Sequence, residues 1–204
     1  MLTHYSAENP VATLVLAHGA GAGQRSPFIV RTAEALAARG ISVATFDFPY
    51  MAAGRKVPDR APVLEAAWRE AVAEATTGGA QVVIGGKSMG GRIATHIAAQ
   101  GIDGVSGVVL LGYPLHPPGK PQQRRDAHLP QIQLPVLFVQ GSDDTFGTAN
   151  EISDVVDTMP NAFLHVIAGG DHSFKVKGGA AKNVAIFAEV ITTVAEWING
   201  VAPA

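Results

Sequence analysis

A serine flanked by glycines lies in the segment QVVIGGKSMGGRIA, residues 81–94. Gly86, Ser88 and Gly90 give the spacing G-x-S-x-G, which is typical of a sharp turn between a strand and a helix. Such a turn holds the serine in a strained backbone conformation, so small neighbours are needed on either side. The pattern predicts that Ser88 stands exposed at the end of a strand, where its hydroxyl serves as a nucleophile.

The letters GGKS in the same segment also resemble the end of a phosphate-binding loop. That loop needs a glycine five positions before the glycine of GKS, and this chain has Gln81 there. The intervening residues 82–85 form an apolar strand and not a glycine-rich loop whose amides surround phosphate. The spacing therefore excludes the phosphate loop and favours the nucleophilic serine.

Two later turns supply an acid and a base for this serine. The turn GSDDTFG contains Asp143 and Asp144, and the turn GGDHSF contains His172. Serine, acid and histidine in this chain order, each after a later strand, form the set in which histidine removes the serine proton. Taken singly, either aspartate is also typical of a cap on a helix that begins near Gly147 or Thr148, and His172 of an exposed loop. Their joint occurrence after successive strands favours catalysis.

The first apolar run ends in LAHGAGAG, which predicts an oxyanion hole. In this arrangement one amide comes from the residue after the nucleophile, Met89, and one from the loop after the first strand, where we expect Ala20. The alternative is a dinucleotide-binding fingerprint, G-x-G-x-x-G. That fingerprint needs glycine where this chain has Gln24 and Ser26, so the oxyanion hole is favoured.

Six short apolar runs alternate with segments of helical spacing. The runs cover residues 11–17, 41–47, 82–85, 105–111, 136–140 and 163–168. The helical positions are Leu64, Ala67, Trp68, Ala71 and Val72, then Ile93, Ala94, Ile97 and Ala98, then Val184, Phe187, Ile191, Val194 and Ala195. Continuous apolar runs of this kind predict buried parallel strands. The alternation predicts one three-layer α/β/α domain over residues 1–204, with a mostly parallel sheet of about six strands.

Pocket-lining residues are predicted from the irregular parts of the chain. Residues 112–135 are rich in proline, which forbids regular sheet and permits at most a short helix, so we expect this stretch to wall a pocket. Tyr50, just past the second predicted strand, and Lys87, beside Ser88, are weaker candidates for lining it. A half-buried packing ring and a solvent-facing or ion-paired lysine are the alternatives for these two.

The composition narrows the class of partner. The chain has 204 residues, 47% of them hydrophobic, a net charge of -2 and a pI near 6.4, which is enough for a sizeable core. The near balance of charge predicts a small-molecule partner and no nucleic acid or membrane. The absence of cysteine and of an HExxH pair predicts that no metal is bound, and the chemistry above needs no cofactor. The first apolar run is far shorter than the roughly 20 residues of a membrane helix, so we expect a cytoplasmic protein.

Six motifs in order carry a resemblance to a known family: LAHGAGAG, FDFPYM, GGKSMGGR, GYPLHPPGKP, FVQGSDDTFG and GGDHSF. Together they resemble the small predicted hydrolases of the α/β-hydrolase superfamily that are related to dienelactone hydrolases. This branch also contains the testis-expressed and NSL-complex-subunit hydrolase-like proteins. The resemblance covers almost the whole chain, roughly residues 11–198. It implies a minimal fold that lacks the first two antiparallel strands and any large lid.

The resemblance also implies an activity. The superfamily's G-x-x-D turn falls on residues 141–144, which makes Asp144 the acid and leaves Asp143 to the loop. A serine hydrolase is implied, acting on a carboxylic ester or related acyl substrate through an acyl-enzyme. A non-catalytic binding or scaffold module with the same fold is the alternative. Without a large lid we expect a shallow, open pocket for short acyl chains.

Overall fold

The computed structural model describes residues 1–77, 79 and 81–201, and within them the central feature is a seven-stranded open sheet. The strands are β1 Thr3–Tyr5, β2 Ala12–Ala17, β3 Ile41–Phe46, β4 Val82–Lys87, β5 Val105–Leu111, β6 Val136–Gly141 and β7 Ala162–Ile167. Their order across the sheet is β1-β3-β2-β4-β5-β6-β7. β1 runs antiparallel to β3, and every other neighbouring pair is parallel.

Helices cover both faces of this sheet. They are α1 Pro27–Ala37, α2 Pro49–Ala52, α3 Ala61–Thr76, α4 Met89–Gln100, α5 Ala149–Val156 and α6 Ala180–Val201, with a 3-10 turn at Leu129–Gln131. One buried cluster joins the sheet to α3, α4 and α5, and a second joins it to α1 and α6. α5 begins with a capping box of Thr148 and Glu151, so neither Asp143 nor Asp144 caps it. The predicted three-layer α/β/α architecture is confirmed.

The six predicted apolar runs form β2 to β7, and the remaining strand differs from expectation. β1 adds an antiparallel partner to β3 that neither the apolar pattern nor the expected minimal fold included. It is three residues long and mostly exposed, which leaves little hydrophobic pattern to detect. The prediction of a buried strand is wrong for β7, where Phe163 is 55% exposed and Val166 is 43% exposed. β7 lies at the edge of the sheet and is covered less completely than the central strands.

The last helix combines a packed half with an exposed half. α6 is long and apolar enough to cross a membrane by length and composition alone, with a mean hydropathy of 1.4. Its buried residues are Val190, Ile191, Val194, Ala195 and Ile198. They pack in the cluster shared with the sheet and α1, as expected of a core helix. Val184 was predicted to face the core but is 63% exposed, because the packed part of α6 begins only further along the chain.

Candidate active site

Ser88 occupies a sharp turn between β4 and α4, as the glycine spacing predicts. Its φ of 51° and ψ of -118° are strained for a residue with a side chain. The turn requires glycine at two positions because backbone meets backbone there. A Cβ on Gly86 would lie 2.6 Å from the nitrogen of Gly91, and one on Gly90 would lie 2.6 Å from the carbonyl oxygen of His18. The glycines therefore allow α4 to start directly against β2 and β4.

The structure brings Ser88, His172 and Asp144 together in one hydrogen-bonded chain. The oxygen Oγ of Ser88 lies 2.9 Å from Nε2 of His172, and Nδ1 of His172 lies 2.8 Å from Oδ2 of Asp144. A carboxylate accepts only, so Nδ1 carries the proton and Nε2 is free to accept the serine hydroxyl. The three residues follow β4, β6 and β7, whose carboxyl ends meet at one edge of the parallel sheet. The arrangement can transfer a proton from the serine to the imidazole.

Asp144 is fully buried and is held by three donors. Oδ2 accepts from Nε2 of Gln140 at 2.9 Å as well as from His172, and Oδ1 accepts from the amide of Phe146 at 2.8 Å. Asp143 is exposed and accepts from the hydroxyl of the preceding serine. Of the two aspartates that the sequence left as candidates, only Asp144 contacts the histidine. Gln140, the orienting amide, was missed because a buried glutamine at a strand end carries no motif.

Lys87 lies beside the nucleophile and bonds to the histidine loop. Its Nζ donates to the backbone carbonyl of His172 at 2.5 Å and lies 5.4 Å from the ring centre of Phe174. Burial lowers the pKa of Lys87 to about 8, although the negative charges of Asp144 and Asp171 oppose this shift. Lys87 also lines the larger cavity, as predicted. Lys87 therefore does not face solvent, as the alternative interpretation proposed.

Ala20 and Met89, the predicted oxyanion donors, lie on two sides of Ser88. Ala20 lines both cavities that adjoin the serine, and Met89 lines the smaller of them. Met89 is the first residue of α4, so its amide has no acceptor within the helix. The helix macrodipole adds partial positive charge at this end. These positions suit two amides that face a developing negative charge.

His18 and Tyr50 support the loop that carries Ala20. His18 is completely buried; its Nδ1 donates to the carbonyl of Gly19 at 2.8 Å, and its Nε2 accepts from the amide of Phe48 at 3.2 Å. Burial lowers the pKa of His18, which keeps the ring neutral in this role. Tyr50 was expected to line the pocket, but it is completely buried and lines neither cavity beside Ser88. Its hydroxyl accepts from the amide of Gly21 at 3.3 Å, so it braces the loop instead.

The larger cavity beside Ser88 has a volume of about 790 Å³. Four aromatic rings line it, from Phe28, Phe146, Phe174 and Phe187. Phe146 also stacks on the His172 ring, with centroids 4.2 Å apart. This volume is larger than the expected shallow, open pocket for short acyl chains needs, and the acyl-chain preference stays a prediction. Side chains of α1 and α6 form the walls of the cavity. The sequence pattern did not indicate that these two helices line it.

A smaller cavity of about 300 Å³ lies on the other side of Ser88. Pro114 and Arg125 of the irregular stretch 112–135 line it, so this stretch walls a pocket as expected. In the part of the chain that the structure describes, no group of three or more histidine, aspartate or glutamate side chains is suited to hold a metal ion.

The strand order, the strained serine between the central strand and its helix, and the residues at the following strand ends are those of an α/β hydrolase. Residues 10–199 match the family described as "Alpha/beta hydrolase domain". The chain belongs to this family, and the family supports hydrolase activity.

Solved structures share this fold along nearly the whole chain. A dienelactone hydrolase from Anabaena variabilis has a TM-score of 0.79 and 20% identity, over 99% of this chain and 92% of that one. Est1E from Butyrivibrio proteoclasticus, with ferulic acid bound, has a TM-score of 0.77 and 17% identity, over 98% and 95%. A monoglyceride lipase from Saccharomyces cerevisiae has a TM-score of 0.76 and 17% identity, over 100% and 92%. The expected α/β-hydrolase superfamily is confirmed by the family match, and the fold is shared with a dienelactone hydrolase.

Among curated proteins, a polyketide synthase matches a part of the chain. Polyketide synthase ThaQ from Burkholderia thailandensis is 37% identical over 62 residues, which is 30% of this chain. The chain spans only 3% of the length of that protein.

Proposed function

We propose that the chain is a serine hydrolase that cleaves carboxylic esters through an acyl-enzyme. The observation that carries the proposal is the hydrogen-bonded chain from Ser88 through His172 to Asp144, with distances of 2.9 Å and 2.8 Å. The strained φ of Ser88 supports it, because such strain persists where the surrounding structure enforces it and clusters at active sites.

In the first half of the reaction, the Oγ of Ser88 bonds to the ester carbonyl carbon while His172 Nε2 takes the hydroxyl proton. The carbonyl oxygen becomes an oxyanion, which the amides of Ala20 and Met89 stabilise. The intermediate then collapses, the carbon–oxygen bond to the alcohol breaks, and His172 gives its proton to the leaving alkoxide. Asp144 keeps the imidazole in the required tautomer and stabilises its cation.

In the second half, water attacks the acyl-enzyme. His172 takes a proton from the water as its oxygen bonds to the acyl carbon, and the same two amides stabilise the new oxyanion. Collapse breaks the bond to Ser88, whose oxygen regains the proton from the imidazole. The products are an alcohol and a carboxylic acid, and neither a cofactor nor a metal takes part.

Lys87 serves as a positioning residue in this proposal. Its ammonium holds the backbone of His172 through the carbonyl at 2.5 Å, which fixes the loop that carries the imidazole. A hydrogen bond from a charged donor is stronger than a neutral one. The contact therefore restricts the histidine to the position from which it reaches Ser88.

The preferred substrate is a small-molecule ester with a sizeable apolar group. The cavity of about 790 Å³ with its four phenylalanine rings supports this, since pockets of 300 to 1,000 Å³ hold drug-sized ligands. A series of p-nitrophenyl esters should show kcat/KM rising from acetate to hexanoate, because each buried methylene adds apolar contact. A maximum at acetate would contradict the apolar substrate. We retain the cytoplasm as the proposed compartment.

A fluorophosphonate probe tests the enzyme against the scaffold alternative. The wild-type protein should be labelled covalently at neutral pH, and Ser88→Ala should not be labelled. Ser153→Ala is the matched control, because Ser153 is an exposed serine on α5 that lines neither cavity. It should be labelled like the wild type. A folded wild-type protein that takes up no probe would favour a non-catalytic scaffold.

A further inference from the structure

The two cavities beside Ser88 differ in their chemistry. They share Ala20, Ser88 and Phe146 in their walls, so the proposed nucleophile opens to both. The larger one is mainly apolar, although Arg31, Lys87 and Lys175 also line it, whereas the smaller one is lined by Arg92 and Arg125. Beside an ester carbonyl placed at Ser88, there is room for one substituent in each cavity. The smaller cavity therefore receives the second substituent.

The two arginines lack an acidic partner in the described chain. No carboxylate lies within 4.0 Å of either guanidinium among residues 1–77, 79 and 81–201. The Nε of Arg92 is buried and has no hydrogen-bond partner there. The Arg125 guanidinium donates through Nη1 to the carbonyl of Pro114, at 3.4 Å. Burial lowers the pKa of Arg92, and the like charge of Arg125 adds to this effect.

Two acids of this region already have other hydrogen-bond partners. Glu65 accepts from Nδ1 of His96 at 2.8 Å, and Asp126 accepts from Nε of Arg124 at 2.7 Å.

Asp59 is the one carboxylate among the described residues that line the smaller cavity. Its Oδ1 accepts from Arg55 at 2.8 Å, and its Oδ2 is buried without a partner. Arg55 offsets its charge, so the charges of Arg92 and Arg125 remain unbalanced. Two half-buried cations without counter-ions are costly in the free protein, and an anion between them would lower this cost.

We propose that Arg92 and Arg125 form a subsite for an anionic group of the substrate, a carboxylate or a phosphate. The inference rests on the proposed esterase function and names its substrate class: an ester with an apolar group on one side and an anion on the other. The planar guanidinium groups donate several hydrogen bonds to such anions in a fixed geometry. Lysine or water would not orient the anion in the same way. The orientation of the anion in turn fixes the position of the ester carbonyl relative to Ser88.

Isosteric substrate pairs test the subsite. The hexanoyl ester of 3-hydroxypropanoate is compared with that of 3-hydroxypropanamide, and monohexyl succinate with hexyl succinamate. These pairs place the anion on the alcohol side and on the acyl side. For at least one pair the wild-type protein should cleave the carboxylate with a kcat/KM about tenfold above the amide, since hydrogen bonds to charged groups are stronger. The hexanoyl ester of 2-hydroxyethyl phosphate, beside that of ethylene glycol, tells phosphate from carboxylate.

Variants of the arginines should remove this preference. Arg92→Gln and Arg125→Gln should each bring the anion-to-amide ratio close to one. Arg124→Gln is the matched control, because Arg124 is adjacent in sequence, exposed and outside the cavity. It removes the same net charge and should leave the ratio unchanged. Asp59→Asn should raise the ratio, since it removes the opposing charge from the cavity.

The outcomes separate this inference from the esterase proposal. Cleavage of neutral esters with no preference for any anionic partner would overturn the subsite and leave the esterase intact. An equal loss of preference in Arg124→Gln would also overturn it, because the effect would then be long-range. Failure of all esters together with failure of fluorophosphonate labelling would instead overturn the esterase.

Discussion

The turn that carries Ser88 and the loop that carries His172 are held by different kinds of contact. Around Ser88, backbone packs on backbone, and added Cβ atoms at Gly86 or Gly90 would come within 2.6 Å of main-chain atoms. The histidine loop has a close main-chain contact of its own, between Gly141 and Gly170, but side chains also bond to the residues around His172. Oδ1 of Asp171 accepts from the amides of Ser173 and Lys175, and Lys87 bonds to the carbonyl of His172.

The turn around Ser88 and the histidine loop should therefore differ in how well they tolerate substitution. Main-chain packing at the nucleophile leaves no room for an additional atom, so substitutions there should affect folding and activity together. Side-chain bonds at the histidine loop are replaceable one at a time and depend on charge. Substitutions there should change turnover and its pH dependence, with the fold retained.

The largest effect is expected at the acid. Asp144→Asn should lower kcat by about 10³ to 10⁴, because the amide no longer stabilises the imidazolium and supports the wrong tautomer. Hydrolysis of p-nitrophenyl butyrate measures this. Asp143→Asn is the matched control, since the exposed Asp143 carboxylate accepts from the neighbouring Ser142 and not from His172; its kcat should stay within about twofold of wild type. A larger loss in Asp143→Asn than in Asp144→Asn would refute the assignment.

The next largest effect is expected in the nucleophile turn. Gly90→Ala places a Cβ 2.6 Å from the carbonyl oxygen of His18 and 2.7 Å from that of Ala17, so α4 must shift. We expect a loss of about 1 to 3 kcal/mol in the free energy of unfolding and up to about 100-fold in kcat. Urea unfolding and ester hydrolysis measure the two. Gly200→Ala is the control, because an added Cβ there meets no atom within 4 Å. Equal stability of both variants would contradict the packing argument.

A smaller effect is expected at Lys87. Lys87→Met should lower kcat about tenfold and leave KM nearly unchanged, because it releases the His172 carbonyl without touching substrate contacts at the carbonyl carbon. The pKa of Lys87 is lowered to about 8, so wild-type kcat should fall as the pH rises through that value. The variant should lack this fall. Lys120→Met, in an exposed loop, should keep the wild-type profile.

The same pKa has the opposite consequence for stability. The folded pKa of Lys87 is about 8 and its ordinary value is 10.5, so the unfolded chain binds more protons between these pH values. The contribution of Lys87 to stability therefore rises with pH over this window, while activity falls. An activity limb near pH 8 that persists in Lys87→Met would show that another group causes it.

The smallest effect is expected at His128, which packs against Thr95 and His96 of α4. Burial, and then the neighbouring His96 and Arg92, lower the pKa of His128 to about 4 from 6.5. The unfolded chain therefore takes up the proton first, and stability is lost as the pH falls from 6.5 to 4. His128→Gln should reduce this loss by about 1 to 2 kcal/mol in urea unfolding, after allowance for partial solvent screening. Identical pH slopes for the variant and the wild type would contradict this.

The sequence predicted the features that depend on short-range patterns. The turn around Ser88 was predictable because its glycines are neighbours in the chain, and β2 to β7 were predictable from continuous apolar runs. Asp144 needed the family resemblance in addition, because both aspartates stand in the same turn. The structure separates them by burial and by the bonds from Gln140 and Phe146.

Features that depend on distant residues were not predictable. The bond from Lys87 to the His172 carbonyl joins residues 85 positions apart, and no local pattern encodes it. Tyr50 lies just after a strand, where pocket residues are common. In the structure its ring is buried in the core and its hydroxyl accepts from the Gly21 amide. Arg92 and Arg125 line the same small cavity. Their proximity depends on how the irregular stretch 112–135 packs against α4.

Trapping the acyl-enzyme tests the central claim most directly. The protein is mixed with p-nitrophenyl butyrate, quenched in acid within the first turnover, digested and analysed by mass spectrometry. The account predicts a butyryl group on the peptide that contains Ser88, together with a burst of p-nitrophenol when deacylation is slower than acylation. Ester hydrolysis by Ser88→Ala at the wild-type rate, or an adduct found only on another residue, would contradict the account.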